Sequence, residues 1–108
     1  MPEPLALPIL DTHHHLWDLS RFRLPWLDGA PKLNRSFLME DYLEATAGLG
    51  VTKTVYMEVD VEPSQQAQEA EHVFALCERG DNPIVAAVIS GRPAAPDFGG
   101  YLDRFRGV

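Results

Sequence analysis

The sequence has little cysteine and few basic residues, and both shortages narrow the range of possible functions. Cys77 is the single cysteine among 108 residues, so an internal disulfide and a CxxC metal or redox motif are excluded. Lys and Arg number 9 against 16 Asp and Glu, which gives a net charge of −7. Because the basic residues form no cluster, this balance argues against nucleic acid and anionic membrane surfaces as partners.

Long apolar runs are missing as well. No stretch approaches the roughly 20 apolar residues that a membrane-spanning helix needs, and Met1-Pro2-Glu3-Pro4 lacks the basic start of a secretory signal. With the lone cysteine, these features lead us to expect a cytoplasmic protein. The chain is 45% hydrophobic and 23% charged, which is ordinary for a globular domain and unlike a disordered one.

The alternation of apolar runs with amphipathic stretches predicts an α/β fold. Runs rich in β-branched and apolar residues predict strands over residues 9–13, 51–59 and 84–90. Apolar residues at spacings of three and four predict helices between them and a last helix from residue 98. Such alternation builds a parallel sheet through right-handed crossovers. The third strand is an unbroken apolar run, so we expect it to be buried on both faces.

The predicted helices have recognisable ends and faces. Ser36 is expected to start the first helix, and Gly80 to end the second. The second helix has an apolar stripe formed by Ala67, Ala70, Val73, Phe74 and Cys77. The residues predicted to face water are Gln66, Gln68, Glu69 and Glu71. We expect His72, on the same helix, to lie at the surface or to be partly packed.

Three of the four histidines follow Asp11-Thr12 as His13, His14 and His15, at the end of the first predicted strand. Side chains alternate between faces in an extended chain, so His13 and His15 should share one face with Asp11. Two imidazoles on one face can hold a divalent metal such as Zn²⁺ or reach a polarised carbonyl. A solvated polar loop is the alternative interpretation. A catalytic zinc needs about three protein ligands, so further ligands would have to come from elsewhere.

Polar residues also follow the other two predicted strands. Glu58 and Asp60 come after the second strand, and Ser90 and Arg92 come after the third. Because functional groups of parallel α/β folds collect at the carboxyl ends of the strands, we expect these residues near the histidines. Glu58 is a candidate catalytic carboxylate. Arg92 is a candidate for binding a substrate carboxylate, which suits the guanidinium fork.

Residues 16–35 show no sustained periodicity and are interrupted by proline and glycine. A loop of this length is uncommon in a compact domain unless it is functional. Its aromatic and basic side chains suggest a lid or pocket wall, in which Trp17 and Trp26 bind substrate. The alternative is that Trp17, Phe22 and Trp26 only pack the loop onto the core.

The Asp-x-His-x-His pattern of residues 11–15 resembles the amidohydrolase superfamily of (β/α)8 barrels. Further segments are similar to the branch that contains sugar lactonases and aromatic-ring-cleavage lactonases, so the resemblance covers nearly the whole chain. These segments are Leu16-Trp17-Asp18, Leu24-Pro25-Trp26-Leu27, Arg35-Ser36-Phe37, Glu40-Asp41-Tyr42-Leu43, Val55-Tyr56-Met57-Glu58-Val59 and Glu69-Ala70-Glu71.

The resemblance implies a hydrolase that opens a cyclic ester, either a sugar lactone or a dicarboxylate lactone. His13 and His15 match the first-strand pair that binds a divalent metal in many members, and Zn²⁺ is the metal we expect. Some lactonases of this branch need no metal and use these histidines towards the substrate. A decarboxylase of the same superfamily is the alternative chemistry. The implied partner is a small-molecule substrate.

The resemblance also implies that residues 1–108 are the N-terminal three β/α units of a single TIM-barrel domain. Such a barrel needs about 250 residues and eight strands. The later-strand histidines and the eighth-strand Asp that serves as general base in the family would lie beyond Val108. We therefore expect the 108 residues alone to be inactive, and a non-catalytic fragment is the alternative. An incomplete barrel has two unpaired sheet edges and an exposed apolar face, which favour association, including homo-oligomers.

Overall fold

The computed structural model describes residues 7–108 and contains a parallel sheet of three strands. The strands are β1 (Ile9–His14), β2 (Val51–Met57) and β3 (Ile84–Val88), in the order β1-β2-β3. The helices are α1 (Met39–Ala45), α2 (Gln66–Arg79) and α3 (Phe98–Asp103), with short 3-10 helices at Pro25–Gly29, Pro31–Leu33 and Pro63–Gln65. The α/β class with parallel strands, predicted from the sequence, is confirmed.

None of the helices within residues 7–108 combines the length and apolar character that crossing a membrane requires. The segment Met1-Pro2-Glu3-Pro4, which was compared with a secretory signal, lies outside the described residues.

The start of α1 differs from the prediction. Asp41 in the first turn accepts a hydrogen bond from the backbone N–H of Leu38 at 2.8 Å, as the third helical residue does in a capping box. The hydroxyl of Ser36 instead accepts from the backbone N–H of Leu19 at 2.9 Å. The prediction that Ser36 starts the helix is therefore wrong, because its side chain ties residues 16–35 to the segment before α1.

The core includes side chains from the long loop. Phe22, Leu24 and Leu27 are buried in one cluster with residues of the sheet, the β2–α2 connection and α2. Trp17 is partly buried and packs against this cluster, whereas Trp26 remains 38% exposed. Phe22 therefore packs the loop onto the core, as the alternative interpretation of the loop predicted. The residues that fix the loop leave Trp26 accessible.

Two of the residues predicted to face water on α2 are buried. Gln66 lies at the start of the helix, and Glu69 is only 2% exposed. The prediction for both residues is wrong. Polar side chains can be buried when they form hydrogen bonds, and the polar pattern of the sequence does not reveal such bonds. The end of α2 is as predicted, since Gly80 adopts the left-handed conformation, with φ of 69°, that glycine enters at no steric cost.

The strand β3 is covered on one face. Ile84 is buried in the core cluster, whereas Val85 and Val88 are 56% and 46% exposed. The expectation that this run is buried on both faces is wrong for the described chain, because α2 packs against the strand but leaves Val85 and Val88 exposed. The exposed apolar surface expected of a three-stranded sheet is present.

Candidate functional site

The strand β1 contains a β-bulge just before its end. Asp11 pairs with Thr54 and His14 pairs with Tyr56, so β1 advances by three residues while β2 advances by two. An extra residue interrupts the alternation of faces, so that Asp11 and His14 come to lie on the same side of the sheet. The tip of β1 is therefore not a regular strand end.

Tyr42 of α1 contacts both Asp11 and His14. Its hydroxyl donates a hydrogen bond to the Asp11 carboxylate at 2.6 Å, and its ring stacks on the His14 ring with centroids 3.6 Å apart. The hydrogen bond from Tyr42 lowers the pKa of Asp11. The prediction that Asp11 shares a face with His13 and His15 is wrong, because the bulge turns its carboxylate towards α1.

His14 is an interior residue. It is 2% exposed, its Nδ1 lies 3.0 Å from Oγ1 of Thr54, and its Nε2 is buried without a hydrogen-bond partner. Burial lowers the pKa of His14 to about 4, so the ring is neutral near pH 7. Its contacts connect β1 to β2 and to α1, so this histidine anchors the strand that carries its two neighbours.

His13 and His15 are both exposed, and their rings lie edge to face with centroids 4.7 Å apart. Nδ1 of His15 lies 2.9 Å from the carbonyl oxygen of Met57. Because a carbonyl oxygen only accepts, Nδ1 carries the proton, and the lone pair of the neutral ring lies on Nε2. This is the arrangement typical of metal-ligating histidines, and it equally presents a base to a substrate.

A pocket of about 430 Å³ opens beside His15 at the carboxyl ends of β1 and β2. It brings together five residues that the sequence singled out, because Trp17, Trp26, Glu58 and Asp60 line it as well as His15. His13 does not line the pocket, but its ring contacts the ring of His15, which does. The complete lining consists of His15, Trp17, Trp26, Leu33, Glu58, Val59 and Asp60.

The two tryptophans form one wall of this pocket. Their rings meet edge to face with centroids 5.6 Å apart. Nε1 of Trp17 donates to the carbonyl of Arg35 at 2.7 Å, and Nε1 of Trp26 donates to the carbonyl of Val59 at 2.8 Å. Because both polar atoms are bonded to backbone, the rings are held in place with apolar surface available to a ligand.

The acidic side chains of Glu58 and Asp60 form a rim of the same pocket. Glu58 accepts a hydrogen bond from the backbone N–H of Asp60 at 2.7 Å. Asp60 adopts a positive φ of 53°, a conformation that is uncommon outside glycine and is found at functional sites. The sequence located Asp60 at a strand end, but its backbone conformation follows from the turn that leaves β2.

Arg92 lies beside this rim without lining the pocket. Its Nη2 is 3.9 Å from Oδ1 of Asp60, and it borders a second cavity of about 560 Å³ between the start of α2 and α3. Ser90, which was also located at a strand end, is buried, and its carbonyl accepts a hydrogen bond from the hydroxyl of Tyr101. The positive charge of Arg92 therefore lies next to the negative charge of Asp60, at the edge of the rim that Glu58 and Asp60 form.

The two imidazoles of His13 and His15 suit a divalent metal, but they are fewer ligands than a catalytic metal site needs. His13 and His15 supply two adjacent imidazoles, and the hydrogen bond from His15 to Met57 leaves Nε2 available as a ligand. Within residues 7–108, no group of three or more His, Cys, Asp or Glu side chains is arranged to hold a metal ion. The described residues therefore offer two of the roughly three protein ligands that a catalytic zinc needs.

Sequence reasoning missed Glu69, which lies behind the pocket. Its Oε2 accepts hydrogen bonds from the hydroxyl of Tyr56 at 2.7 Å and from the backbone N–H of Val59 at 3.1 Å. Burial raises the pKa of Glu69. The available signal was its spacing, since Glu69 precedes the stripe residue Val73 by four positions and so shares its face of the helix.

Comparison with known proteins supports a coarse assignment. No family model matches the chain. The uncharacterized protein y4mH of Sinorhizobium fredii (strain NBRC 101917 / NGR234) is 29% identical over 119 residues, a match that takes in 94% of this chain and 39% of that protein. Among solved structures, the chain is similar to amidohydrolase 2 from Bifidobacterium longum subsp. infantis, with a TM-score of 0.65 and 31% identity.

The match to the solved structure covers 80% of this chain and 34% of that protein, so the chain spans less than two fifths of either relative's length. The resemblance to the amidohydrolase superfamily that the sequence indicated is confirmed at this level. The open, three-stranded α/β fold is similar to part of an amidohydrolase.

Proposed function

We propose that this chain is part of a hydrolase of the amidohydrolase superfamily that opens a cyclic ester. In this proposal residues 1–108 supply the first three β/α units of a TIM barrel. The observation that carries the proposal is the pair of adjacent rings of His13 and His15, beside a pocket walled by tryptophan and carboxylate side chains. The likeness to a solved amidohydrolase supports the choice of reaction class.

The residues of the pocket suggest separate roles. His13 and His15 would hold a divalent metal such as Zn²⁺, which when bound polarises an ester carbonyl and acidifies water. Without a metal, the unprotonated Nε2 of His15 would accept a proton from an attacking water. Glu58 is a half-buried carboxylate that lines the same pocket and would accept a hydrogen bond from that water.

The walls favour a sugar lactone over a dicarboxylate lactone. The indole rings of Trp17 and Trp26 offer flat apolar surface to the C–H face of a sugar ring. Glu58 and Asp60 accept hydrogen bonds from hydroxyl groups. The positive charge of Arg92 lies beside Asp60, so less of it is available to a substrate carboxylate than that of an unpaired guanidinium would be.

The test measures acid release by pH-stat titration, using the 108-residue chain and the same chain continued into any adjoining coding sequence. A panel of sugar lactones, dicarboxylate lactones and aromatic carboxylic acids separates the candidates. We expect sugar lactone opening by the longer protein. Opening of dicarboxylate lactones alone would instead assign Arg92 as the carboxylate site. Release of CO₂ without lactone opening would replace the reaction with the decarboxylase alternative.

A further inference from the structure

Glu69 connects α2 to the ends of both strands that border the pocket. Its Oε2 accepts from the hydroxyl of Tyr56 and from the backbone N–H of Val59, at 2.7 and 3.1 Å. The Tyr56 hydroxyl also lies 3.2 Å from the carbonyl oxygen of Leu16. Leu16 directly follows His15, and Val59 directly follows Glu58. Glu69 therefore holds the neighbour of Glu58 directly, and it reaches the neighbour of His15 through the Tyr56 hydroxyl, whose single proton is shared between two acceptors.

The same network extends to the tryptophan wall. The N–H of Val59 is held by Glu69, and the carbonyl of Val59 accepts the indole N–H of Trp26 at 2.8 Å. A displacement of Val59 therefore moves the hydrogen-bond acceptor of Trp26. The indole N–H of Trp17 has a separate acceptor, the carbonyl of Arg35, but Trp17 follows Leu16 and its ring contacts the ring of Trp26.

The burial of this carboxyl group points to a role beyond packing. Glu69 is 2% exposed, and its Oε1 is buried with no hydrogen-bond partner in the described structure. A buried polar atom without a partner weakens a core, and an apolar side chain would avoid that cost. Local features that cost stability are found where function requires a particular geometry.

We propose that Glu69 is a positioning residue that holds the ends of β1 and β2 so that His15, Glu58 and Trp26 line one pocket. The inference rests on the proposed function only for the meaning of that pocket. For the structure, it states that removing the carboxyl group of Glu69 moves Val59 and Leu16 while the rest of the fold persists.

The experiment compares ¹H–¹⁵N spectra and amide exchange of the 108-residue chain and its Glu69→Leu variant. We expect the indole resonance of Trp26 to shift and the Val59 amide to exchange at least roughly tenfold faster. The amide of Gly50, just before the start of β2 and at its opposite end, should be unchanged and serves as the internal reference. Glu69→Gln retains an acceptor oxygen and should restore the Trp26 resonance. Glu71→Gln is the matched control, because Glu71 is an exposed residue of α2 that pairs with Arg104, and it should change neither signal.

Wild-type Trp26 and Val59 signals in Glu69→Leu would overturn the proposal. Comparable changes at the Gly50 amide would also overturn it, because they would indicate general loss of structure. If Glu69→Leu does not fold, Tyr56→Phe decides, since it removes only the hydroxyl between Glu69 and Leu16. Shifted His15 resonances in Tyr56→Phe support the proposal, and unshifted ones contradict it. None of these readouts needs enzymatic activity, so the outcome is independent of the lactonase assay.

Discussion

His13, His14 and His15 are consecutive, yet the environment of His14 differs from that of its two neighbours. Alternation along an extended chain correctly separates the exposed pair from the buried His14. The partners of His14 were beyond prediction, because Thr54 and Tyr42 lie 40 and 28 positions away along the chain. The bulge that reorients Asp11 was equally hidden, since no glycine or proline marks the extra residue.

The buried His14 predicts a loss of stability in acid. Its pKa is about 4 in the folded chain against 6.5 ordinarily, so the unfolded chain binds the proton first as the pH falls. The part of the unfolding free energy that depends on neutral His14 is therefore fully present above pH 6.5, and it is lost as the pH falls to about 4. The loss is about 3 kcal/mol by linkage.

Urea unfolding of wild type and His14→Gln at pH 7 and pH 4 measures this contribution. The variant should show the smaller decrease in unfolding free energy between the two pH values. His72 and Glu69, which also have shifted pKa values, titrate in both proteins and cancel in the comparison. Equal decreases would show that His14 does not carry the acid sensitivity.

The histidine pair predicts weak metal binding by the 108 residues alone. Calorimetric titration with Zn²⁺ should give a Kd above roughly 1 μM, because two imidazoles supply fewer ligands than the three of a catalytic zinc site. His13→Ala should abolish the binding, and His72→Gln, on α2, should leave it unchanged. A sub-micromolar Kd would mean that the chain contains a third ligand.

At the scale of elements, the sequence located the strands and helices better than it located their ends. Apolar runs identified all three strands, but β2 ends at Met57 and not at residue 59. It ends early because Glu58 accepts the N–H of Asp60 and the backbone turns through a positive φ. Such local hydrogen bonds compete with a strand, and they leave no trace in hydrophobic patterning.

The end of α2 predicts a specific cost of substitution. Gly80→Ala should destabilise the chain by about 1 kcal/mol, because a Cβ at φ of 69° is strained even though the space around it is free. Gly99→Ala is the matched control, since Gly99 lies within α3, with free space and without a positive φ, so alanine should be neutral or stabilising there. Urea unfolding measures both. No loss at Gly80 would contradict the assigned cap.

At the scale of the whole molecule, the chain is more open than a compact domain. Its radius of gyration is 16.0 Å, against about 13 Å expected for a compact domain of this length. Leu10, Val85 and Val88 expose apolar surface on the sheet. These features agree with the expectation of an open sheet, and the barrel to which we assign it stays a prediction.

The exposed sheet predicts self-association. Sedimentation of the 108-residue chain at about 100 μM should show oligomers, since unpaired edges and apolar surface are buried by association. Val85→Lys combined with Val88→Lys should shift the distribution to monomer. Glu71→Lys, a charge change on an exposed site of α2, should not. A monomeric wild type would show that the exposed surface is insufficient to drive association.

The most direct test of the histidine site is the rate of lactone opening after both exposed imidazoles are removed. The measurement compares the protein, continued into any adjoining coding sequence, with its His13→Ala, His15→Ala double variant, using His72→Gln as control. We predict a loss of at least roughly 100-fold for the double variant and an unchanged rate for the control. A double variant that opens lactones at the wild-type rate would contradict the assignment of this site.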